Sequence, residues 1–412
     1  MRVPVISLII LFLFSFLVDW YIWSDIRKYA SQKHRKTYGI VYAVLSALLW
    51  IYLIVVVCLP RRDVGESITP VMWMLFSYFT VYISKFVYMV CSLIGRLFRK
   101  HVNYGAYIGI GLGLLTGFSM MWGALVTRYD IEVTHADIYS DRLPKGFDNF
   151  KIVQFSDAHV GTWGNDTTFI SALVDSINAQ QPDVIFFTGD IVNRITSELD
   201  PFVKPLSRLN APYGVYSILG NHDYGDYADW ESEEEHRNNN QRLYRMQEQM
   251  GWKMLNNDSE IIRANGDSIV IIGVENWGEP PFKVYGDLKK AYPRIRADKH
   301  LNDGNFKILL THNPEHWRQE VTKKSNIDLT LSGHTHAMQS MIKVGGFKWS
   351  PSSFKYENWG GLKYENWGGL YDADNGKPMQ IYVNIGSGEV GFPSRVGAAY
   401  PEVTVLTLKR KK

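Results

Sequence analysis

Lys151-Ile-Val-Gln-Phe-Ser-Asp-Ala-His159 is the stretch from which the rest of the chain can be read. Lys151–Phe155 has the length and apolar content of a strand, and the next four residues bring Asp157 and His159 to the point where that strand stops. The pattern recurs downstream. Asp183-Val-Ile-Phe-Phe187 leads to Gly189-Asp190, and Gly214-Val-Tyr-Ser-Ile-Leu219 leads to Gly220-Asn221-His222-Asp223. Phe306 to Leu310 leads to Thr311-His312, and Asp328-Leu-Thr-Leu331 leads to Gly333-His334-Thr335-His336. Continuous apolar runs of this kind suit strands buried on both faces, and in α/β folds ligands bind beyond the carboxyl ends of strands. Phe169, Leu173 and Ile177 add helical spacing between the first two runs. This part of the chain therefore reads as a strand-rich α/β fold.

The region upstream belongs to a different solvent. At 412 residues the chain exceeds one typical domain. Residues 1–126 hold four apolar runs, Val3–Trp23, Tyr38–Leu59, Val71–Gly95 and Tyr104–Val126. Each is near the ~20 residues a helix needs to cross a hydrocarbon core, and backbone groups in lipid must be bonded within the segment, so all four read as transmembrane helices. The first is not a cleaved leader: a single Arg2 precedes it, and Ser24-Asp25-Ile26-Arg27 follows with no small-x-small site. Asp19 and Lys85 fall inside apolar runs. An intramembrane charge is a functional candidate, but Asp19 is expected near a helix end and Lys85 can snorkel along its own stem.

Basic residues set the orientation. The first connection carries Arg27, Lys28, Lys33, Arg35 and Lys36 and the third Arg96, Arg99 and Lys100, against Arg61 and Arg62 in the second. Connections one and three are then cytoplasmic, which puts the C-terminal domain of this multi-pass chain on the outer side of the cell membrane. The two cysteines, Cys58 and Cys91, lie in apolar runs, so the C-terminal part has neither a disulfide nor a thiolate metal site. A net charge of +3 gives no nucleic-acid footprint.

The expected division is a membrane region over 1–126, a polar linker over 127–149 and an α/β domain over 150–412. Within the last, Asp226–Asn240 reads as a surface excursion with a solvated Ser232–His236, followed by a helical piece from Arg242 to Met250. Lys355–Leu362 and Lys363–Leu370 are tandem copies of KYENWGGL, too short for a solenoid unit and read as a lengthened loop. Gln380–Val383 and Val403–Leu408 read as closing strands joined by the glycine-rich Gly386–Gly391. His236 and His316 sit at no strand end and are expected on the surface.

Asp157, His159, Asp190, Asn221, His312, His334 and His336 are all oxygen or imidazole donors, without sulfur. Such a mix suits manganese, with iron or zinc as alternatives, and seven donors suffice for two divalent ions. Asp-x-His, Gly-Asp, Gly-Asn-His-Asp, a lone His and Gly-His-x-His, in that order and each after an apolar strand, resemble the calcineurin-like metallophosphoesterases over about residues 150–408. The resemblance implies a four-layer α/β/β/α sandwich. It assigns Asp157, His159 and His336 to one metal and Asn221, His312 and His334 to the other, with Asp190 bridging.

It also implies hydrolysis of a phosphodiester or pyrophosphate by in-line displacement at a metal pair. His222 is the expected acid on the leaving oxygen, with Asp223 orienting its imidazole, and Arg395 is a candidate for binding a substrate phosphate. The chain is most similar to a bacterial transmembrane branch that includes relatives of UDP-2,3-diacylglucosamine pyrophosphatases of lipid A biosynthesis. This makes a lipid-linked substrate the expectation, although Gly273-Val-Glu-Asn276 departs from the acidic pair common in that branch. The alternative is a non-catalytic transmembrane sensor or scaffold that binds a phosphorylated ligand. A transporter is disfavoured, because the four helices show no repeat or broken segment.

Overall fold

A computed structural model describes residues 5–58, 69–98, 102–278, 283–291, 305–355 and 367–411. The chain forms two compact units, Met1–Leu125 with Gly391–Ser394, and Val126–Val390 with Arg395–Lys412.

The first unit contains α1 (Val5–Tyr29), α2 (Arg35–Cys58), α3 (Thr69–Leu97) and α4 (Tyr104–Leu125). All four are long and apolar enough to cross a membrane. Helices α3 and α4 approach closely because glycine faces glycine: a Cβ on Gly105 would lie 2.2 Å from the Cys91 carbonyl oxygen and 2.7 Å from Gly95 Cα. Asp19 and Lys85 do not behave as expected from their positions in the sequence. Asp19 is buried within α1 and pairs with Lys85 Nζ at 2.8 Å. Its carboxylate also accepts from Tyr42 Oη at 2.6 Å, Ser46 Oγ at 3.1 Å, Trp50 Nε1 at 3.0 Å and Tyr82 Oη at 2.7 Å. One carboxylate thus joins α1, α2 and α3, because lipid offers a charge no other partners.

In the second unit the chain runs through β1 (Glu132–Ser140), β2 (Lys151–Phe155), α5 (Thr168–Ala179), β3 (Val184–Phe187) and β4 (Val215–Ser217). It continues through β5 (Trp252–Met254), β6 (Asp258–Ala264), β7 (Asp267–Gly273), β8 (Lys307–Leu310) and β9 (Leu329–Ser332). There follow β10 (Ser340–Val344), β11 (Phe347–Trp349), β12 (Gly369–Asp372), β13 (Gln380–Val383), β14 (Val396–Gly397) and β15 (Glu402–Arg410). One sheet has the order β1-β15-β2-β3-β4-β5, the second β12-β13-β9-β8-β7-β6, and a small third β11-β10-β14.

Period-two alternation turns these strands into layers. Ile152, Val184, Phe186 and Leu406 of the first sheet meet Ile269, Ile271, Ile308 and Leu329 of the second in one core. The neighbouring Val153, Phe155, Ile185 and Phe187 point the other way, onto Phe169, Leu173 and Ile177 of α5. On the far side of the second sheet, Val270, Ile272 and Leu309 pack with Trp317 and Val321. The result is two mixed sheets face to face with helices outside.

Two stretches differ from the reading of the sequence. Residues 132–140, taken as linker, form β1, which pairs in parallel with β15 from Glu132↔Glu402 to Ser140↔Arg410. Ser232–Glu235 are exposed, as the solvated reading expects, but the helix Glu233–Gln249 begins there and not at Arg242, since the Ser232 side chain accepts from Glu235 N and Glu233, Glu234 and Glu235 fill the first turn. Most of the KYENWGGL duplication lies outside the described residues.

Replacing Lys85 with Met should destabilise the helical unit by about 3–5 kcal/mol, because it removes one partner of a buried ion pair. Thermal unfolding of the full chain in detergent checks this, and Asp19→Asn combined with Lys85→Met should recover most of the loss.

Candidate metal centre

Parallel β2, β3 and β4 in one sheet, and β8 and β9 in the other, carry the polar residues at their carboxyl ends. Asp157 and His159 follow β2, Asp190 follows β3, Asn221 and His222 follow β4, His312 follows β8, and His334 and His336 follow β9. Backbone bonds lock these loops together: Asp157 N donates to Gly189 O at 2.9 Å, His159 N to Asp190 O at 3.2 Å, and Gly333 N to His312 O at 3.0 Å.

The side chains converge in three overlapping groups, each with donor atoms within 4.8 Å of one another: Asp157, His159 and His336; His159, Asp190 and His222; Asp190, His312 and His334. Asp190 Oδ2 lies 3.1 Å from His312 Nε2 and 3.6 Å from His159 Nε2, and Asp157 Oδ1 lies 3.2 Å from His336 Nε2. His334 Nδ1 is 3.2 Å from His312 Nε2.

Tautomer chemistry tests whether cations fit. His312 Nδ1 lies 2.8 Å from the Thr188 carbonyl oxygen. A carbonyl only accepts, so Nδ1 carries the proton and, in neutral imidazole, Nε2 presents a lone pair to the Asp190 carboxylate. Two lone pairs at 3.1 Å need a proton or a metal between them. Burial opposes the charged imidazole, yet Asp190 and Asp157 outweigh it and raise His312 to about 9. Burial likewise works against Asp157 and Asp190, while the imidazoles around them hold both below the usual carboxylate range. His159 Nδ1 and Nε2, His336 Nδ1 and Asn221 Oδ1 are buried without a hydrogen-bond partner. Leaving such groups bare costs about 1–3 kcal/mol each. Bare donors of oxygen and nitrogen, grouped around two carboxylates, fit divalent cations.

The backbone is bent to make this possible. Asp157, His159, Asp190, His334 and His336 have φ of 53°, 40°, 61°, 74° and 50°. Non-glycine residues adopt this left-handed region at about 1–3 kcal/mol each, and such strain gathers at functional sites.

Two expected roles are not those the structure shows. Asp223 does not touch the His222 ring. Its carboxylate accepts the backbone N–H of Asp190 at 2.8 Å, Ile191 at 2.8 Å, Val192 at 3.2 Å and Gly220 at 2.9 Å, and so holds the turn that presents Asp190. The His222 imidazole is instead fixed by the Asn193 carbonyl, 2.7 Å from Nδ1.

Arg395 is 0% exposed. Its guanidinium donates to the carbonyls of Ile385, Gly386, Gly388, Ala399 and Tyr400, so it shapes the glycine-rich segment behind Asp157 and is not free for a phosphate. That segment reaches the site through Gly388 N, which donates to Asp157 O at 2.7 Å.

His316 is not on the surface: it is fully buried, 3.0 Å from Thr311 Oγ1 and stacked on Trp277. Burial lowers its imidazole to about 4, against the opposing pull of Glu320. His236 is partly buried and bonds Tyr224 O at 2.5 Å.

Tyr227 was not foreseen. Its ring stacks on His222 at 4.4 Å and its hydroxyl accepts from Asn221 Nδ2 at 2.9 Å, which turns Asn221 Oδ1 away as the bare donor. No spacing rule marks this tyrosine, since the contact depends on the fold of the loop after Asp223.

Residues 150–338 match the family described as Calcineurin-like phosphoesterase, and residues 1–128 the one described as Probable Calcineurin-like phosphoesterase, transmembrane domain. The metallophosphoesterase YkuE of Bacillus subtilis is 32% identical over 321 residues, which cover 76% of this chain and 98% of that protein. The Danio rerio transmembrane protein with metallophosphoesterase domain is 25% identical over 342 residues, 79% of this chain and 70% of its own. Among solved structures, phosphopantetheinyl hydrolase (PptH) of Mycobacterium tuberculosis aligns with a TM-score of 0.29 at 14% identity, covering 52% of this chain and 94% of its own. The chain belongs to the calcineurin-like metallophosphoesterases, with a membrane region of four helices ahead of the phosphoesterase domain.

Gly220 is required by close approach, since a Cβ there would lie 2.1 Å from Asp190 Oδ1 and 2.6 Å from Asp190 N. Gly220→Ala should therefore displace the Asp190 carboxylate and weaken metal affinity about 10–100-fold, the loss typical of a disturbed ligand support. Titration of the metal-stripped protein with Mn²⁺ measures this.

Proposed function

We propose that the chain hydrolyses a phosphodiester or pyrophosphate bond of an amphipathic or lipid-linked substrate on the outer face of the membrane. In this reading Asp157, His159 and His336 would hold one divalent cation and Asn221, His312 and His334 a second, with Asp190 shared between them. The observation that carries it is the opposition of His312 Nε2 and Asp190 Oδ2 at 3.1 Å within a set of bare buried donors. When bound, two such cations supply the charge that acidifies an attacking water and neutralises phosphoryl oxygens. Manganese is the first candidate for this mixed oxygen and imidazole set, with iron or zinc as alternatives.

His222 supplies the proton. With Nδ1–H directed to Asn193 O and the ring held against Tyr227, Nε2 is the atom left to protonate the departing oxygen. Asp223 acts at one remove, by fixing the turn that carries Asp190. An intact donor set together with this imidazole favours turnover over a sensor that only binds a phosphorylated ligand.

The substrate class rests on the anchor, which confines the centre to the neighbourhood of the bilayer and raises the effective concentration of anything embedded there. UDP-2,3-diacylglucosamine is one member of that class but is made on the cytoplasmic face. With the domain outside, an exported phospholipid, nucleotide or phosphosugar fits better.

Asp190→Ala or His334→Ala should abolish Mn²⁺-dependent hydrolysis of bis(p-nitrophenyl) phosphate, and retained turnover would refute the ligand assignment. His222→Gln should keep its metal content yet lose about 10²–10⁴-fold in kcat on alkyl diesters. The loss should be much smaller on p-nitrophenyl diesters, whose leaving group needs no proton, and an equal loss on both would remove His222 from the role of acid. Protease treatment of intact spheroplasts should cleave the domain, whereas protection would place it inside.

A further inference from the structure

The ribbon of β10 and β11 has both of its faces largely exposed. Its register pairs Ile342 with Trp349, Lys343 with Lys348 and Val344 with Phe347. Directly opposed residues share a face and neighbours along a strand alternate, so Ile342, Val344, Phe347 and Trp349 lie on one face and the two lysines on the other. The lysine face is exposed as well, although each lysine keeps a contact: Lys343 Nζ lies 3.6 Å from Glu132 Oε1, and Lys348 Nζ donates to Gly368 O at 2.9 Å and sits over the Trp367 ring. The apolar face is left open, with Ile342 50%, Val344 69% and Phe347 60% exposed and Trp349 half-buried.

Chain connectivity bears on what that face can meet. Glu132, the partner of Lys343, opens β1 only seven positions after the end of α4 at Leu125. The other neighbour of β10 is β14, which starts two positions after Gly391–Ser394. That segment belongs to the helical unit, where the Phe392 ring meets Phe79 of α3 at 5.3 Å and Ser394 Oγ donates to Met120 O of α4 at 3.0 Å. The small sheet is thus tied on both sides, within a few residues, to chain that belongs with the membrane helices.

We propose that the β10–β11 ribbon is a second, non-helical membrane contact, whose Ile342, Val344 and Phe347 face enters the boundary between lipid headgroups and acyl chains. Aromatic and branched apolar side chains backed by lysine are the composition of segments that lie in that interface. The ribbon also follows His336 directly. His336, Ala337, Met338 and Gln339 form a left-handed turn with φ between 45° and 53° that leads into Ser340, so bilayer contact and a metal-centre residue share one continuous stretch of chain. This part of the inference rests on the proposed function, whereas the membrane contact stands without it.

The test uses the full chain in lipid nanodiscs, with Cys58→Ala and Cys91→Ala and single replacements Val344→Cys, Phe347→Cys or Lys343→Cys carrying an NBD fluorophore. Lipids with a doxyl quencher at the upper acyl chain should reduce emission about twofold or more at 344 and 347, the depth at which interfacial segments lie, and little at 343. Aqueous iodide should show the opposite order. Equal doxyl quenching at all three positions, or none, overturns the proposal. Shielding from iodide without doxyl quenching overturns it too, and points to a second copy of the chain on this face. No hydrolysis is read, so failure of the enzymatic reading and failure of the membrane contact are separable.

Discussion

An imidazole whose Nδ1–H is committed to a carbonyl cannot rest its Nε2 3.1 Å from a carboxylate oxygen in a dry interior unless a proton or a metal ion lies between them. Much of the phosphoesterase domain serves to hold that opposition. The carboxyl ends of two different sheets supply the two partners, Asp190 from the first and His312 from the second. The core that joins the sheets, from Ile152 and Phe186 to Ile308 and Leu329, fixes the distance between them. Asp223 gathers four backbone N–H groups to keep the Asp190 turn in place, and Arg395 gathers carbonyls to keep the glycine-rich segment against Asp157. Charged residues in such loops are easily mistaken for chemistry, when here they are the scaffolding that chemistry requires.

The loops of the candidate metal centre add a second constraint, because five of its residues, Asp157, His159, Asp190, His334 and His336, hold left-handed backbone. Strain of that kind persists only where the surroundings over-determine it. The sheets provide part of that determination and bound cations would provide the rest, which couples metal affinity to the order of the loops.

What could be read from the sequence was what depends on spacing along the chain. Four apolar runs gave four helices, and polar residues after buried strands gave the elements of the centre, because a strand end and a run length are local properties. Asp223 and Arg395 could not be read this way. Their hydrogen bonds go to backbone groups of loops distant in sequence, and a motif records side-chain identity but not the carbonyls nearby. Asp19 and Lys85 lie 66 positions apart and found each other only through helix packing. The start of the helix at Glu233 is legible, since Ser232 followed by three glutamates is a capping signal, although the polar composition of Asp226–Asn240 taken alone reads as loop. β1 was missed because its outer residues are polar and its partner, β15, is more than 250 residues away.

That pairing bears on how the domain is born. β15 lies between β1 and β2 in the first sheet, although the ribosome makes it after every other described strand. When α4 has already entered the bilayer and β1 has emerged, the gap beside β1 stays open until residues 402–410 arrive. The nascent domain therefore waits at the membrane with an unpaired strand edge, the state most prone to wrong partners. Closing that gap is a long-range contact, which makes this edge of the sheet slow to complete.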